Sequence, residues 1–163
     1  MTKPRTIIVD DQDEAIGHKD RSTILPEEVY RVAALWVTNS GGDILLAQRQ
    51  LTKRNDPGKW GPAVAGTVDE GETYDSNILK EAEEEIGLIE IRPNRSKKRR
   101  YAGEHNYFCQ WYTLVVDKPA NEFAIRVEEV AQVKWFSRDE LTKELHDNPD
   151  DYLKGLSWAF EEL

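Results

Sequence analysis

GTVDEGETYDSNILKEAEEEIGL, from Gly66 to Leu88, is the stretch around which the rest of this chain is read. It places six glutamates and two aspartates in one loop and one helix. The back half has helical spacing, because Ile78, Leu79, Ala82 and Ile86 recur every three or four residues and form an apolar stripe. Thr73 suits the N-cap, Asp75 the positive end of the helix dipole, and Gly87 the C-terminal stop. At about 100° per residue, Glu81, Glu84 and Glu85 share one face and Glu83 falls outside it. Like charges at that spacing oppose the helix by about 0.2–0.5 kcal/mol per pair. A solvated acidic face would tolerate that cost, and a divalent cation would offset it, since hard cations take oxygen ligands. The residues of the stretch leave both readings open.

The spacing Gly66-x5-Glu72-x7-Lys80-Glu81-Ala82-x-Glu84-Glu85-x-Gly87-Leu88 resembles the signature of the Nudix (MutT-like) family, hydrolases of nucleoside diphosphates linked to another moiety. Lys80 is the one departure, standing where that family has arginine. The resemblance implies an α/β fold: a Nudix-type α/β/α sandwich with a mixed sheet, here preceded by an N-terminal β-hairpin. It implies Glu84 and Glu85 as main metal ligands, Glu81 as a further ligand or the base for water, and the backbone carbonyl of Ala65 as another ligand. Glu128 and Glu129 match the later acidic residue that many members add. Gly66, Glu72, Lys80 and Gly87 would be structural supports. Mg²⁺ is the implied cofactor, with Mn²⁺ able to replace it. Lysine keeps the charge of the family's arginine and loses its forked contact, so looser bracing of the glutamates is expected.

Ala65 also bears on a second branch. The segment 31–37 and the run Gln48-Arg49 to Trp60 are similar to the isopentenyl-diphosphate isomerases of the same fold. Their chemistry needs a cysteine just before the signature glycine, a facing glutamate and metal-binding histidines. This chain has Ala65 at that position, no histidine between His18 and His105, and its one cysteine at Cys109. The expectation is therefore a hydrolase of isomerase-like architecture, cleaving the diphosphate linkage of a nucleoside diphosphate derivative or similar small organic diphosphate. The alternatives are an isomerase-like enzyme and a non-catalytic nucleotide-binding domain.

Composition agrees with a soluble, globular chain. The 163 residues are 39% hydrophobic and 33% charged, a balance suited to a single domain over 1–163. Thirty-one acidic residues against 22 basic ones give a formal net charge of −9, which repels nucleic-acid polymers and anionic membranes. A small phosphorylated ligand remains compatible, because local cations reverse the local field. One cysteine forms no internal disulfide, and Ile7-Ile8-Val9 is too short for a signal peptide, so a cytoplasmic setting is expected. The aromatic content would allow a homodimer.

Along the chain, Ile7–Val9 and Ala15–His18 read as the leading hairpin. Residues 31–38, 44–48, 89–93, 107–116 and 130–136 read as strands. Ser137 with Glu140 opens a helix, and Asn148-Pro149 opens a last one with Tyr152, Leu156, Ala159, Phe160 and Leu163 facing inward. Arg49, Lys53 and Arg54, in a turn-rich loop, are candidates to hold substrate phosphates, as are the cations from Lys97 to Arg100. Trp60, Tyr107 and Trp111 are candidates to stack on a base, with Trp36 assigned to the core. The three histidines show no metal-ligand spacing.

Overall fold

A computed structural model describes residues 3–163. The sheet is organised on β3 (Val29–Thr38), a ten-residue strand whose side chains alternate between two cores. Ala33, Leu35 and Val37 face one side, and Ala34 and Trp36 face the other, as the period of two requires. β8 (Asn106–Val115) pairs in parallel along the whole of one edge of β3, from Val29↔Asn106 to Thr38↔Val115. Along β3 the antiparallel partners follow in turn: β1 (Arg5–Val9) at its start, β6 (Val64–Thr67) in the middle, and β4 (Ile44–Arg49) at its end. β2 (Ala15–Asp20) completes the hairpin with β1, and β5 (Trp60–Pro62) and β9 (Val130–Phe136) both pair with β4.

Three helices cover the two faces. α1 (Tyr74–Ile86) packs Tyr74, Ile78, Ala82 and Ile86 against the Ala33–Leu35–Val37 face. α2 (Arg138–Asp147) and α3 (Leu156–Glu162) bury Leu141, Leu156 and Ala159 against Ala34, Trp36 and Trp111 on the other. This is the expected α/β/α arrangement around a mixed sheet.

The ends of α1 explain its length. Thr73 Oγ1 accepts from the Ser76 N–H at 3.0 Å, and Ser76 Oγ accepts from the Thr73 N–H at 2.9 Å, a reciprocal capping box. Gly87 stops the helix at φ 71°, a left-handed conformation that costs a glycine little. Its N–H returns to Glu83 O at 3.1 Å and the Leu88 N–H to Ala82 O at 3.0 Å. Leu79, expected in the apolar stripe, is 44% exposed, because α1 touches the sheet along the narrower line of Ile78, Ala82 and Ile86.

Two further expectations are corrected. Residues 89–93 form no strand: Glu90 turns through φ 55°, Pro93 lacks a ladder donor, and pairing starts one residue later. That next strand, β7 (Asn94–Tyr101), is the basic run, which sits at the sheet edge against β8, where charges discourage further pairing. The last helix starts at Leu156, not at Pro149. Pro149–Asp151 makes only a 3-10 turn, and Gly155 at φ 90° breaks the chain before α3. Tyr152, Leu156 and Ala159 are buried as expected, while Phe160 and Leu163 are half-buried. Ala63 links β5 to β6, and Val64 and Ala65 open β6. Among the described residues, no helix is long and apolar enough to cross a membrane.

Candidate functional site

One large cleft, about 1140 Å³, opens where α1 passes the end of β6. Its floor carries Ala65, Gly66 and Thr67 of β6, and one wall carries Glu81, Glu84 and Glu85 of α1. Gly66 sets how close the helix lies. A Cβ added there would stand 2.4 Å from Glu81 Cγ and 3.0 Å from Asn77 Oδ1, so only glycine lets the Glu81 stem pass. Asn77, fully buried one turn earlier, ties the helix to the strand by donating to Thr67 O at 3.0 Å and to Glu72 at 2.9 Å.

Glu72 is the hub of the loop before α1. Its carboxylate accepts from the Asp69 N–H at 3.0 Å, from Asn77 and from Lys80. Burial opposes its ionisation, but these donors outweigh burial and hold its pKa below the ordinary carboxylate value. Lys80 bridges Glu72 and Glu81, reaching Glu81 at 3.5 Å. It therefore spans both carboxylates with one ammonium, a point charge in place of a fork.

The carboxylates on the cleft wall are a repelling set. Glu85 is pushed up to about 8, first by burial and then by the charges of Glu81 and Glu129, with only the Ala65 backbone opposing. Glu81 is raised by burial and by Glu84, with Lys80 opposing. The charge of Glu81 thus adds to burial in disfavouring an ionised Glu85. Glu84 stands exposed at the mouth and Glu83 is exposed outside the cleft lining. Among the described residues, no three acidic, histidine or cysteine side chains are already closed around a metal-sized point. The donor set nonetheless fits Mg²⁺: hard oxygens converge on one wall, short of positive charge, and Mg²⁺ keeps waters in place of missing protein ligands.

Cations line the same cleft. Arg49, Lys53 and Arg54 all line the cleft, together with Arg126. Glu129 lines it too, paired with Lys53, whereas Glu128 points outward, 73% exposed and 3.9 Å from Arg126. The second basic run lies elsewhere: Lys97 pairs with Glu162, Lys98 with Asp13 at 2.7 Å, Arg99 stacks over Tyr101 and Trp158, and Arg100 over Phe108. Those cations brace β7 and its neighbours, and none lines the cleft. Trp36 and Trp111 are core, Trp60 packs edge-on against Phe136, and Tyr107 stacks on Tyr101 at 4.9 Å. The aromatic that does line the cleft is Tyr30, beside Ile24, Leu25 and Pro26. Sequence reasoning missed this wall because residues 21–28 carry no periodicity, and it missed Arg126, whose only signal is its place just before Glu128 and Glu129. His105 lines the cleft, while His18 lies 3.5 Å from Glu70 and His146 3.0 Å from Asp147.

The model of the NUDIX domain matches residues 28–156, which include the whole acidic stretch and the cleft lining from Glu28 onward. The chain belongs to the Nudix hydrolase family. A Nudix hydrolase of Yersinia pestis, its own activity uncharacterised, is 31% identical over 152 residues, covering 92% of this chain and 82% of that protein. An isopentenyl-diphosphate Delta-isomerase of Salmonella arizonae is 27% identical over 170 residues, covering 98% of this chain and 87% of the isomerase. In fold, the crystal structure of DR0079 from Deinococcus radiodurans superposes with a TM-score of 0.80 at 21% identity, covering 96% of this chain and 97% of that one. Nudix hydrolases act as pyrophosphohydrolases and generally use divalent metal ions.

Proposed function

We propose that this Nudix hydrolase cleaves the diphosphate linkage of a nucleoside diphosphate derivative or similar small organic diphosphate, by attack of water on phosphorus in the cleft between α1 and the basic loop. The observation that carries the reading is one cleft lined by both charge sets: Glu81, Glu84 and Glu85 together with Arg49, Lys53, Arg54 and Arg126. Glu84 and Glu85, with the Ala65 carbonyl and Glu129, would hold Mg²⁺. When bound, the metal supplies charge neutralisation and activation of water. Glu81 takes the proton of the attacking water, a task suited by a pKa raised above the ordinary carboxylate value. The guanidinium and ammonium groups hold the non-bridging phosphate oxygens and stabilise the charge of the leaving phosphate. Gly66 and Lys80 fix where the Glu81 carboxylate sits, and Glu72 anchors Lys80.

The isomerase reading finds little support in the same cleft. Ala65 has no thiol to move a proton to or from carbon. Cys109 belongs to the core beside α2 and α3, where burial pushes its thiol up and away from reactivity. A binding domain without activity has no need of three glutamates kept together against their own repulsion.

The test is turnover on a panel of nucleoside diphosphate derivatives, dinucleotides and isoprenoid diphosphates, with Mg²⁺ and with EDTA. Mg²⁺-dependent release of phosphorylated products from at least one nucleoside diphosphate derivative is expected. Allylic isomer from isopentenyl diphosphate, or no turnover of any compound, would overturn the reading.

A further inference from the structure

Lys53 stands between the two charge sets of the cleft. It belongs by sequence to the basic loop, yet its ammonium pairs with Glu129, a carboxylate that lines the cleft with Glu81, Glu84 and Glu85. Backbone bonds fix both partners: the Gln50 N–H donates to Glu129 O at 3.2 Å and the Lys53 N–H to Gln50 O at 3.1 Å. The turn carrying Glu129 is itself tied to α1, since the Arg126 N–H donates to Glu85 O at 2.8 Å. Arg49, Lys53 and Arg54 all line the cleft, so the Lys53 ammonium shares that space on its own flexible stem. The pair is half-exposed, at 28% for Lys53 and 37% for Glu129, so neither group is locked by burial.

We propose that Lys53 is a positioning residue that exchanges partners: it neutralises Glu129 in the metal-free site and, once a divalent cation engages Glu129, turns its ammonium to a substrate phosphate. The inference rests on the metal-dependent reading above. A cation of charge two beside an ammonium repels it, and the same cation satisfies the carboxylate that held it. The freed ammonium then meets a phosphate across the cleft. Metal and phosphate binding become coupled, each favouring the other, as linkage requires.

The signature is a pair of effects of opposite sign in one variant. Lys53→Met removes a competitor for Glu129, so the substrate-free protein should bind Mn²⁺ roughly three- to tenfold more tightly, the scale of one half-exposed charge. With Mn²⁺ saturating, the same variant should bind imidodiphosphate, whose P–N–P link resists cleavage, about tenfold more weakly. Lys53→Arg keeps the charge and should stay within about threefold of wild type in Mn²⁺ affinity. Paramagnetic resonance of free Mn²⁺ reads the first affinity and calorimetry the second. Mn²⁺ affinity in Lys53→Met that is unchanged or weaker overturns the exchange, and so does unchanged imidodiphosphate affinity. No Mn²⁺ uptake by wild type would instead overturn the metal site itself, and the exchange with it.

Discussion

Gly66→Ala places a methyl where the structure has no room, and the contacts say which side chain gives way. The added Cβ would lie 2.4 Å from Glu81 Cγ, 2.7 Å from Glu81 Cδ and 3.0 Å from Asn77 Oδ1. Carbon atoms pack comfortably at about 3.5–4.0 Å, so the overlap with Glu81 exceeds 1 Å by this measure. Asn77 cannot absorb it, because it is fully buried and both its donor bonds hold the strand and Glu72 to α1. Glu81 is the end that moves. Overpacking costs about 1–3 kcal/mol, and the lost chain entropy of glycine returns about 0.4–1 kcal/mol, so the net destabilisation should be near 1 kcal/mol. A shift of about 1 Å in a catalytic group costs on the order of a hundredfold in rate. Urea melts and steady-state kinetics at saturating Mg²⁺ on the best panel substrate separate the two. The expected result is a modest loss of stability with a ten- to hundredfold fall in kcat, by the same displacement argument. A variant that loses stability and keeps wild-type kcat would refute the placement of Glu81 at the reacting centre.

Other expectations follow from the charges. Because Glu85 is raised from 4.5 to about 8 in the folded, metal-free protein, the folded state holds a proton that the unfolded chain releases. Its contribution to stability is full below 4.5 and is lost as pH rises through about 8; thermal melts of wild type minus those of Glu85→Gln should show that fall, and Mg²⁺ should reverse it. Lys80→Met removes the cation beside Glu81, so kcat should fall about three- to tenfold and the acid limb of the pH–rate profile should move to higher pH, while Lys80→Arg should keep wild-type activity. A limb that stays in place in Lys80→Met would contradict that coupling. Asp13 is nearly buried and takes Arg31 at 2.7 Å, Lys98 at 2.7 Å and the Tyr74 hydroxyl at 2.9 Å. Asp13→Ala leaves two cations unpaired and should cost about 3–5 kcal/mol in urea melts, with kcat of the folded fraction unchanged. A cost below about 1 kcal/mol would mean that solvent satisfies both cations.

The parts of the molecule legible in the sequence are those whose periodicity and caps act locally. Thr73, Gly87 and the Ile78–Ala82–Ile86 line mark α1, and the aromatic and β-branched run marks β8. The convergence of Glu81, Glu84 and Glu85 follows from helix geometry alone, so it was readable before any fold. β7 was not readable, because its residues are chosen for an edge. Lys98 spends its charge on Asp13, 85 positions away, and Arg99 stacks on Trp158, contacts invisible to any local pattern. Trp111 was misjudged for the complementary reason: it sits on a strand buried on both faces of the sheet and is absorbed by the core beside Trp36, which was expected there. Tyr30, Leu25 and Arg126 reach the cleft only because the start of β3, the connection before it and the turn before β9 meet there, which is tertiary information. The choice between Glu128 and Glu129 belongs to the same class. Neighbours in a turn point opposite ways, and only the pairing with Lys53 shows which one faces in.

The most direct test of the metal-bearing carboxylate face is Glu85→Gln, read for activity and stability together. In the metal-free protein Glu85 already carries a proton near neutrality, so neutral glutamine should leave the melting temperature at pH 7 unchanged or higher. With saturating Mg²⁺ the same variant should lose at least about a hundredfold in kcat/KM, because a ligand that must ionise to hold the cation is gone. Activity within about threefold of wild type, in a variant that melts normally, would contradict the account.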